Sequence, residues 1–404
     1  MRILCLTIFL LMCFEFTNGQ GTWTQKATFP GTARFDAMSF SIGKKGYIVG
    51  GIGSGLLQDF WEYNAASNNW QQKSNFPGGN RCQGVSFSIG AKGYIGTGGS
   101  GTGLGVDDFW EYDTLTYSWT QKANLPANGR YAAAGFSIGN KGYIGAGQGG
   151  SPNVRYNDFW EYAPTSNSWT QKANLPIARA YGFGFSIGTK GYIGTGNDST
   201  PPTYTRDDFL EYDPTTDNWI SKTSFPGGKR TDIDGGCFVI GNFGYVGTGT
   251  YQNTSHNDFW VYNPINDTWA SIPSLSIFGR IGSSSFSINN RGYVGLGNSG
   301  SNLNDLWEYS DTTLLQGIIE IQKNSIHIYP NPFSSQAVLR ADNLLHNATL
   351  TLDNSFGQTV RQIKNISGKT VVLSRDNLPS GVYFLRLTEN NEILVVEKLV
   401  VADK

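Results

Sequence analysis

Apolar and polar residues alternate along positions 38–42, where Met38, Phe40 and Ile42 share one face and Ser39 and Ser41 the other. Alternation of this kind predicts a strand with one buried face. Further short apolar runs lie at 47–50, 60–63 and 70–73, so the first stretch of the chain reads as four strands beginning at 37–42. Turn chemistry separates them. The sequence at 41–46 closes a tight hairpin, a variable Gly/Ser/Asn loop joins the second and third strands, and an Asp-Pro-Thr-Thr type turn, seen at 213–216, joins the third and fourth. The residues equivalent to Ser39 are Ser86, Gly135, Gly184, Cys237 and Ser285, all small. Small residues there, with the Gly-x-Gly of the second strand (Gly145 and Gly147, Gly194 and Gly196), fit inner strands crowded around a central channel.

The four-strand unit repeats. The tract Asp-Phe-Trp-Glu-Tyr recurs with Trp61, Trp110, Trp160, Leu210, Trp260 and Trp307 in its third place, at spacings of 49, 50, 50, 50 and 47. A second series, Trp23, Trp70, Trp119, Trp169, Trp219 and Trp269, follows the tract's tyrosine by seven residues wherever both are present. A period near 50 exceeds the roughly 40–45 of WD40 blades and the roughly 34 of helical TPR repeats. Residues 23–28 form a fourth strand with no first three, while the unit ending at Trp307 has three strands and no fourth. The expected fold is therefore all-β, a six-bladed β-propeller over 20–311 whose chain ends complete one blade and leave no open edge.

At Gly-Tyr-Ile (46–48), Asp-Phe-Trp-Glu-Tyr (108–112), Tyr-Asp-Pro-x-Thr-x-x-Trp (212–219) and the arginine opening each following blade, the chain resembles the kelch-repeat β-propeller family, over about residues 21–310. It departs from that family where the paired glycine, intact at Gly50-Gly51, is mostly replaced by Gly-x-Gly.

Composition narrows the class of partner. The chain has 52 glycines in 404 residues, 14% aromatic and 15% charged residues, a turn-rich β composition incompatible with disorder throughout. Lys+Arg 30 against Asp+Glu 31 leaves a net charge of -1, with no excess to neutralise a phosphate backbone, so nucleic acid is not an expected partner. Residues 1–19 carry Arg2, an apolar run at 3–14 and a small-residue stretch ending at Gly19, which reads as a cleaved signal peptide, with a lipid anchor at Cys13 as the alternative. No later segment approaches the ~20 apolar residues of a membrane span. Cleavage would remove Cys5 and Cys13 and leave Cys82 and Cys237, three repeats apart and too distant to bridge.

After a linker at 312–325 the tryptophans stop, and seven short alternating segments fit into 326–404, the density of a small Ig-like β-sandwich. Ile-Tyr-Pro-Asn-Pro-Phe (328–333, with Tyr329, Pro330, Asn331 and Pro332), the run at 378–387 with Gly381 and Tyr383, and the terminal Lys398-Leu-Val-Val resemble a type A C-terminal sorting domain of type IX secretion. The resemblance implies passage of folded cargo across the outer membrane of a Gram-negative cell, the product being released or held at the surface, with the secretion machinery as partner. An adhesive or carbohydrate-binding sandwich is the other reading.

In a repeat protein, a residue present in every unit is explained first by the fold. Arg34, Arg81, Arg130, Arg179, Arg230 and Arg280 open the blades and are expected at the channel mouth. They either tie loop carbonyls and carboxylates or form a cationic ring for an acidic sugar or peptide carboxylate. The tract acids Asp59, Asp108, Asp158, Asp208, Asp258 and Asp305 read as structural. Blade five breaks the pattern: the opening arginine precedes the first-strand phenylalanine by eight residues (Arg230 to Phe238) instead of six. The insertion holds Asp232 and Asp234, and the blade's variable loop holds His256. Two carboxylates there could bind Ca²⁺ or act as general acid and base. Tyr156, Tyr204 and Arg206 in neighbouring loops offer sugar stacking and hydrogen bonding, or are surface decoration.

A galactose-oxidase-like copper site needs two histidines and a cysteine crosslinked to tyrosine, which one propeller histidine does not supply. No other cofactor is implied. The expected function is an exported cell-surface or extracellular propeller that binds a carbohydrate or protein at its long-loop face. The alternatives are a sugar mutarotase or epimerase resembling the sialic acid mutarotases, in which arginines and acids assist ring opening, and a structural surface scaffold.

Overall fold

A computed structural model describes residues 21–403 apart from 102–103, 151–153, 199–204, 234, 312–325, 355–357 and 390–391. The expected signal peptide and linker thus lie outside the described residues. The chain divides into two compact units at Asp311/Thr312.

The first unit consists of four-stranded antiparallel sheets, one per repeat, in which each strand pairs with the next in sequence. Blade one comprises Met38–Ile42, Lys45–Ile52, Leu56–Asn64 and Asn69–Lys73. Blade six contributes Ser284–Ile288, Arg291–Gly295 and Leu306–Asp311, and its fourth strand is Gly21–Gln25, paired with Leu306–Asp311 so that Trp23 faces Tyr309. The predicted closure is therefore observed, with the strand beginning slightly earlier than the sequence pattern indicated. Short ribbons elaborate the variable loops of blade three, Gln148–Gly149 with Val154–Arg155, and of blade five, Thr250–Tyr251 with Thr254–Ser255.

The apolar core lies between blades rather than within them, because a four-stranded sheet must bury both faces against its neighbours. Each first-strand phenylalanine lies flat against the second-strand glycine of the next blade. A Cβ on Gly93 would lie 2.2 Å from the Phe40 ring, one on Gly191 2.2 Å from Phe136, and one on Gly46 2.3 Å from Phe286, the last joining blade six to blade one. Farther out, the tract phenylalanine meets the next blade's tract tyrosine nearly edge-to-face, at 4.8 Å for Phe60–Tyr112, Phe109–Tyr162, Phe159–Tyr212 and Phe209–Tyr262. The glycine of Gly-Tyr-Ile is thus the slot for a neighbour's ring.

The second unit pairs Ile326–Tyr329, Gln336–Asn354, Thr359–Ser374, Gly381–Glu389 and Glu392–Val401 around its own core. Five strands stand where alternation indicated seven segments. The difference lies in Gln336–Asn354, which pairs with Thr359–Ser374 through several register shifts and also, over 349–354, with Gly381–Glu389. Bulges bend one continuous strand between partners, so its two halves read in sequence as separate elements. Asn331 fastens the Tyr-Pro-Asn-Pro segment to the last strand: its Oδ1 accepts from Val400 N–H at 2.8 Å and its Nδ2 donates to the Lys398 carbonyl at 2.8 Å. Tyr383 donates its hydroxyl to the Pro379 carbonyl at 2.8 Å, holding the turn before Gly381.

Gly191→Ala should destabilise the propeller by about 1–3 kcal/mol through overpacking against Phe136. The unfolding midpoint in denaturant, with unchanged slope, measures it.

Candidate functional site

Each blade-opening arginine is fully buried. Its guanidinium grips the tract aspartate of its own blade, as in Arg34 to Asp59, Arg81 to Asp108, Arg130 to Asp158, Arg179 to Asp208, Arg230 to Asp258 and Arg280 to Asp305, with both terminal nitrogens engaged at 2.5–2.9 Å. The Nη1 that faces the aspartate also donates to a backbone carbonyl, that of Gly50, Thr97, Ala146, Thr195, Thr248 or Leu296. These carbonyl residues have φ of 57–65°, and the glycine following each has φ of 84–99°. Two consecutive left-handed residues explain the paired glycine: the second position always keeps glycine, while the first tolerates Thr, Ala or Leu near 60°. The feature that looked like Gly-x-Gly is this pair preceded by a strand glycine.

The cationic ligand ring is therefore corrected. All six guanidiniums turn their terminal nitrogens to internal partners, although the Nε of Arg81, Arg179, Arg230 and Arg280 is buried without one, and the tract acids are structural as expected. Burial pushes the Asp158 carboxyl up, but hydrogen bonds from Arg130 and Trp160 and the Arg130 charge overcome this and hold it below the usual carboxylate range; Asp59 and Asp258 are held down in the same way. Tyr156 is no free stacking platform, because its ring carries the Arg130 guanidinium at 4.6 Å; in three other blades the arginine stacks on a phenylalanine five residues before it, Phe29, Phe76 or Phe225, where this blade has Leu125. Arg206 pairs with the buried Asp198 and lies 3.5 Å from Asp208, on the blade where Leu210 replaces the tract tryptophan. His256 anchors the loop through its backbone, donating to Gly249 and accepting from Arg280 N–H. Burial, then the Arg230 charge, lowers its pKa. Asp234 and Tyr204 lie outside the described residues.

A cavity of about 130 Å³ occupies the axis. Its wall carries Ser39, Ser86, Gly135, Gly184, Cys237 and Ser285, the small series singled out in the sequence. Hydroxyl and thiol groups stitch neighbouring blades there: Ser39 to the Ser285 carbonyl at 2.8 Å, Ser86 to that of Ser39 at 2.7 Å, and Cys237 to that of Gly184 at 3.6 Å. Cys82 and Cys237 are not joined in a disulfide.

Above this wall lies a ring that the sequence reading did not single out. Two residues after each opening arginine stand Asp36, Gln83, Ala132, Tyr181, Asp232 and Gly282, all with φ of 52–62°. Their amides form a circular chain, each donating to the same position in the preceding blade: Gly282 to Asp232, Asp36 to Gly282, Gln83 to Asp36, Ala132 to Gln83 and Tyr181 to Ala132, at 2.8–3.3 Å. The remaining step, from the Asp232 amide to Tyr181, is the one not made, on the blade that carries the insertion. One side of the ring is acidic: Asp36, which accepts from Gln83 Nε2 at 2.8 Å, and Asp232 flank Gly282, whose missing side chain leaves room for the Asp36 carboxylate. The other side is aromatic, with Tyr181 edge-to-face on Tyr131 and accepting from the buried Gln148 at 3.0 Å. Burial pushes the Asp232 carboxyl up to about 6, and among the described residues no charged group opposes it. Among the described residues no group of three or more His, Cys, Asp or Glu could hold a metal.

Comparison with known proteins agrees with this architecture. Residues 233–276 match the Kelch motif, and residues 327–402 match the Secretion system C-terminal sorting domain. The first unit is a kelch-type β-propeller and the second a sorting domain that marks the chain for secretion. The solved structure of YjhT is similar at a TM-score of 0.58 and 18% identity, over 69% of this chain and 96% of that one. No curated protein matches the chain. Among the described residues no helix is long and apolar enough to cross a membrane.

Arg130→Ala should cost about 3–5 kcal/mol, because it leaves the Asp158 carboxylate beside a buried, empty site. The depressed pKa of Asp158 contributes stability above the usual carboxylate range that is lost as pH falls through its folded value, so the wild-type advantage should shrink on acidification. Denaturant titrations of both proteins at neutral pH and near pH 3 check both statements.

Proposed function

We propose that the protein is an exported carbohydrate-binding propeller that holds a hydroxyl-rich ligand at the channel mouth and reaches the cell surface or medium by type IX export across an outer membrane. The observation that carries this reading is the ring at the second position after each arginine. Its backbone is uniform, yet its side chains are Asp36, Gln83, Ala132, Tyr181, Asp232 and Gly282. The fold needs the left-handed backbone there and not those particular side chains. Carboxylates and an amide converging beside tyrosines supply the acceptors, donors and apolar faces that sugar hydroxyls and ring carbons use. The sorting domain supports the address.

Specific glycan binding by the full chain on an array, with and without Ca²⁺, tests the proposal. Asp36→Asn and Asp232→Asn should each weaken any bound glycan by about tenfold or more, as loss of a charged hydrogen bond does. A glycan signal untouched by both variants would place binding elsewhere, and no signal would move the weight to a protein ligand.

A second reading, sugar mutarotation, is favoured by one observation: the Asp232 carboxyl, pushed up to about 6, exchanges its proton close to neutral pH, as a general acid and base must. Catalysis predicts that Asp232→Asn loses about 100-fold or more in turnover while binding survives. The same shift has a stability signature. A carboxyl whose folded pKa is raised favours the folded state at low pH and penalises it as pH rises through about 6. Asp232→Asn should therefore match wild type near pH 4 and be more stable by about 1–3 kcal/mol at pH 8, read from denaturant midpoints.

A further inference from the structure

An outer fastening recurs in four blades and is missing from blade two; in blade six the tract tyrosine, Tyr309, likewise keeps a buried hydroxyl without a hydrogen-bond partner. In blades one, three, four and five, Asn68, Asn167, Asp217 and Asp267 occupy the turn before the fourth strand, with φ of 47–52°. The Oδ1 of each accepts the tract tyrosine hydroxyl (Tyr63, Tyr162, Tyr212 and Tyr262) at 2.7–2.8 Å and a backbone N–H of the preceding blade (Ala27, Ala123, Ala173 and Thr223) at 2.9–3.1 Å. The fourth-strand indole then donates to the carbonyl of that same preceding residue.

In blade two the position is Tyr117. Its φ of 53° matches the others, but its side chain turns outward and is 58% exposed. The acceptor oxygen is missing. Tyr112, 1% exposed, keeps a buried hydroxyl with no hydrogen-bond partner, and the Trp119 Nε1 is likewise buried and unpartnered. A cavity of about 390 Å³ opens there, lined by Lys45, Gln71, Lys73, Ser74, Tyr112 and Tyr117. Lys45 and Lys73 share the single carboxylate of Glu62, at 2.7 and 3.5 Å, which leaves one positive charge in excess beside the cavity, and Lys73 Nζ stands 5.1 Å from the Tyr117 ring centre. Burial, then the Glu62 charge, pushes the Tyr112 pKa up to about 12, so its proton is retained for donation.

We propose that this pocket between blades one and two binds the carboxylate of a hexuronate, a second ligand site apart from the channel mouth. The ligand oxygen takes the place that an Asn or Asp Oδ1 fills in the other blades, accepting from the Tyr112 hydroxyl. Lys73 and Lys45 balance its charge. The exposed Tyr117 ring stacks on the sugar, and the Gln71 amide meets its hydroxyls. The cavity is of the size that small-ligand sites have.

The test is a titration of the ¹⁵N-labelled full chain with glucuronate, glucose and acetate in parallel, following the indole N–H resonance of Trp119. Glucuronate should shift that resonance saturably, with glucose and acetate at least about tenfold weaker, and Tyr112→Phe should weaken glucuronate by about tenfold. Tyr117→Asn restores the internal acceptor, so it should abolish the glucuronate shift while raising the melting temperature. Because that variant is expected to be more stable, its loss of binding is not loss of fold. Glucose shifting the resonance as strongly as glucuronate, acetate binding as tightly, or Tyr117→Asn leaving the titration unchanged would each overturn the proposal.

Discussion

The propeller depends on one buried ion pair used six times. The guanidinium of each opening arginine joins its own blade's tract aspartate to a left-handed carbonyl, while its backbone carbonyl accepts the N–H of the glycine that follows the left-handed residue in the preceding blade. These links run from Gly51 to Arg81, Gly98 to Arg130, Gly147 to Arg179, Gly196 to Arg230, Gly249 to Arg280 and Gly297 to Arg34, at 2.7–3.0 Å, and so return to their start. The same residue thus fastens strands within a blade and blades to one another. A buried charge pair contributes little unless every remaining donor and acceptor nearby is met. Here the tract tryptophan helps meet that demand, donating its indole N–H to the aspartate in five blades at 2.6–2.8 Å.

Where a repeat loses one of these groups, the structure shows what replaces it. Blade four has Leu210 for tryptophan, and Arg206 approaches Asp208 instead. Blade five has Val261 for the tract glutamate, so the Tyr245 hydroxyl donates to Asp311 of blade six at 2.9 Å, where Tyr94, Tyr143 and Tyr192 donate to the glutamate of their own blade. Blade two has Tyr117 for Asn or Asp, and among the described residues nothing answers Tyr112. A repeat fold makes such exceptions readable because the other copies show what the position is for.

Periodicity made the fold legible: strand number, blade number, closure and the small-residue channel wall all follow from residues that recur at fixed spacing. The mouth was harder to read. Asp36 and Tyr181 sit in separate repeats, and only folding brings them onto one circle. The residues on either side of this position vary too, with Phe35, Cys82, Tyr131, Ala180, Thr231 and Ile281 before it, so no pattern marked it out, and Asp232 drew attention only through the extra length of its loop. The arginines misled for the opposite reason. A residue repeated six times near an axis resembles a receptor for an anion, and only its burial shows that its partner is internal. In the sorting domain, alternation could not distinguish a bent strand from two strands.

Closing the circle with Gly21–Gln25 against Leu306–Asp311 places the last step of assembly at the far end of the propeller's synthesis. A polypeptide that terminates before Leu306 cannot close and also lacks the downstream export domain. The order of segments along the chain therefore acts as a filter: every molecule that carries the address for secretion also carries the strand needed to finish the ring.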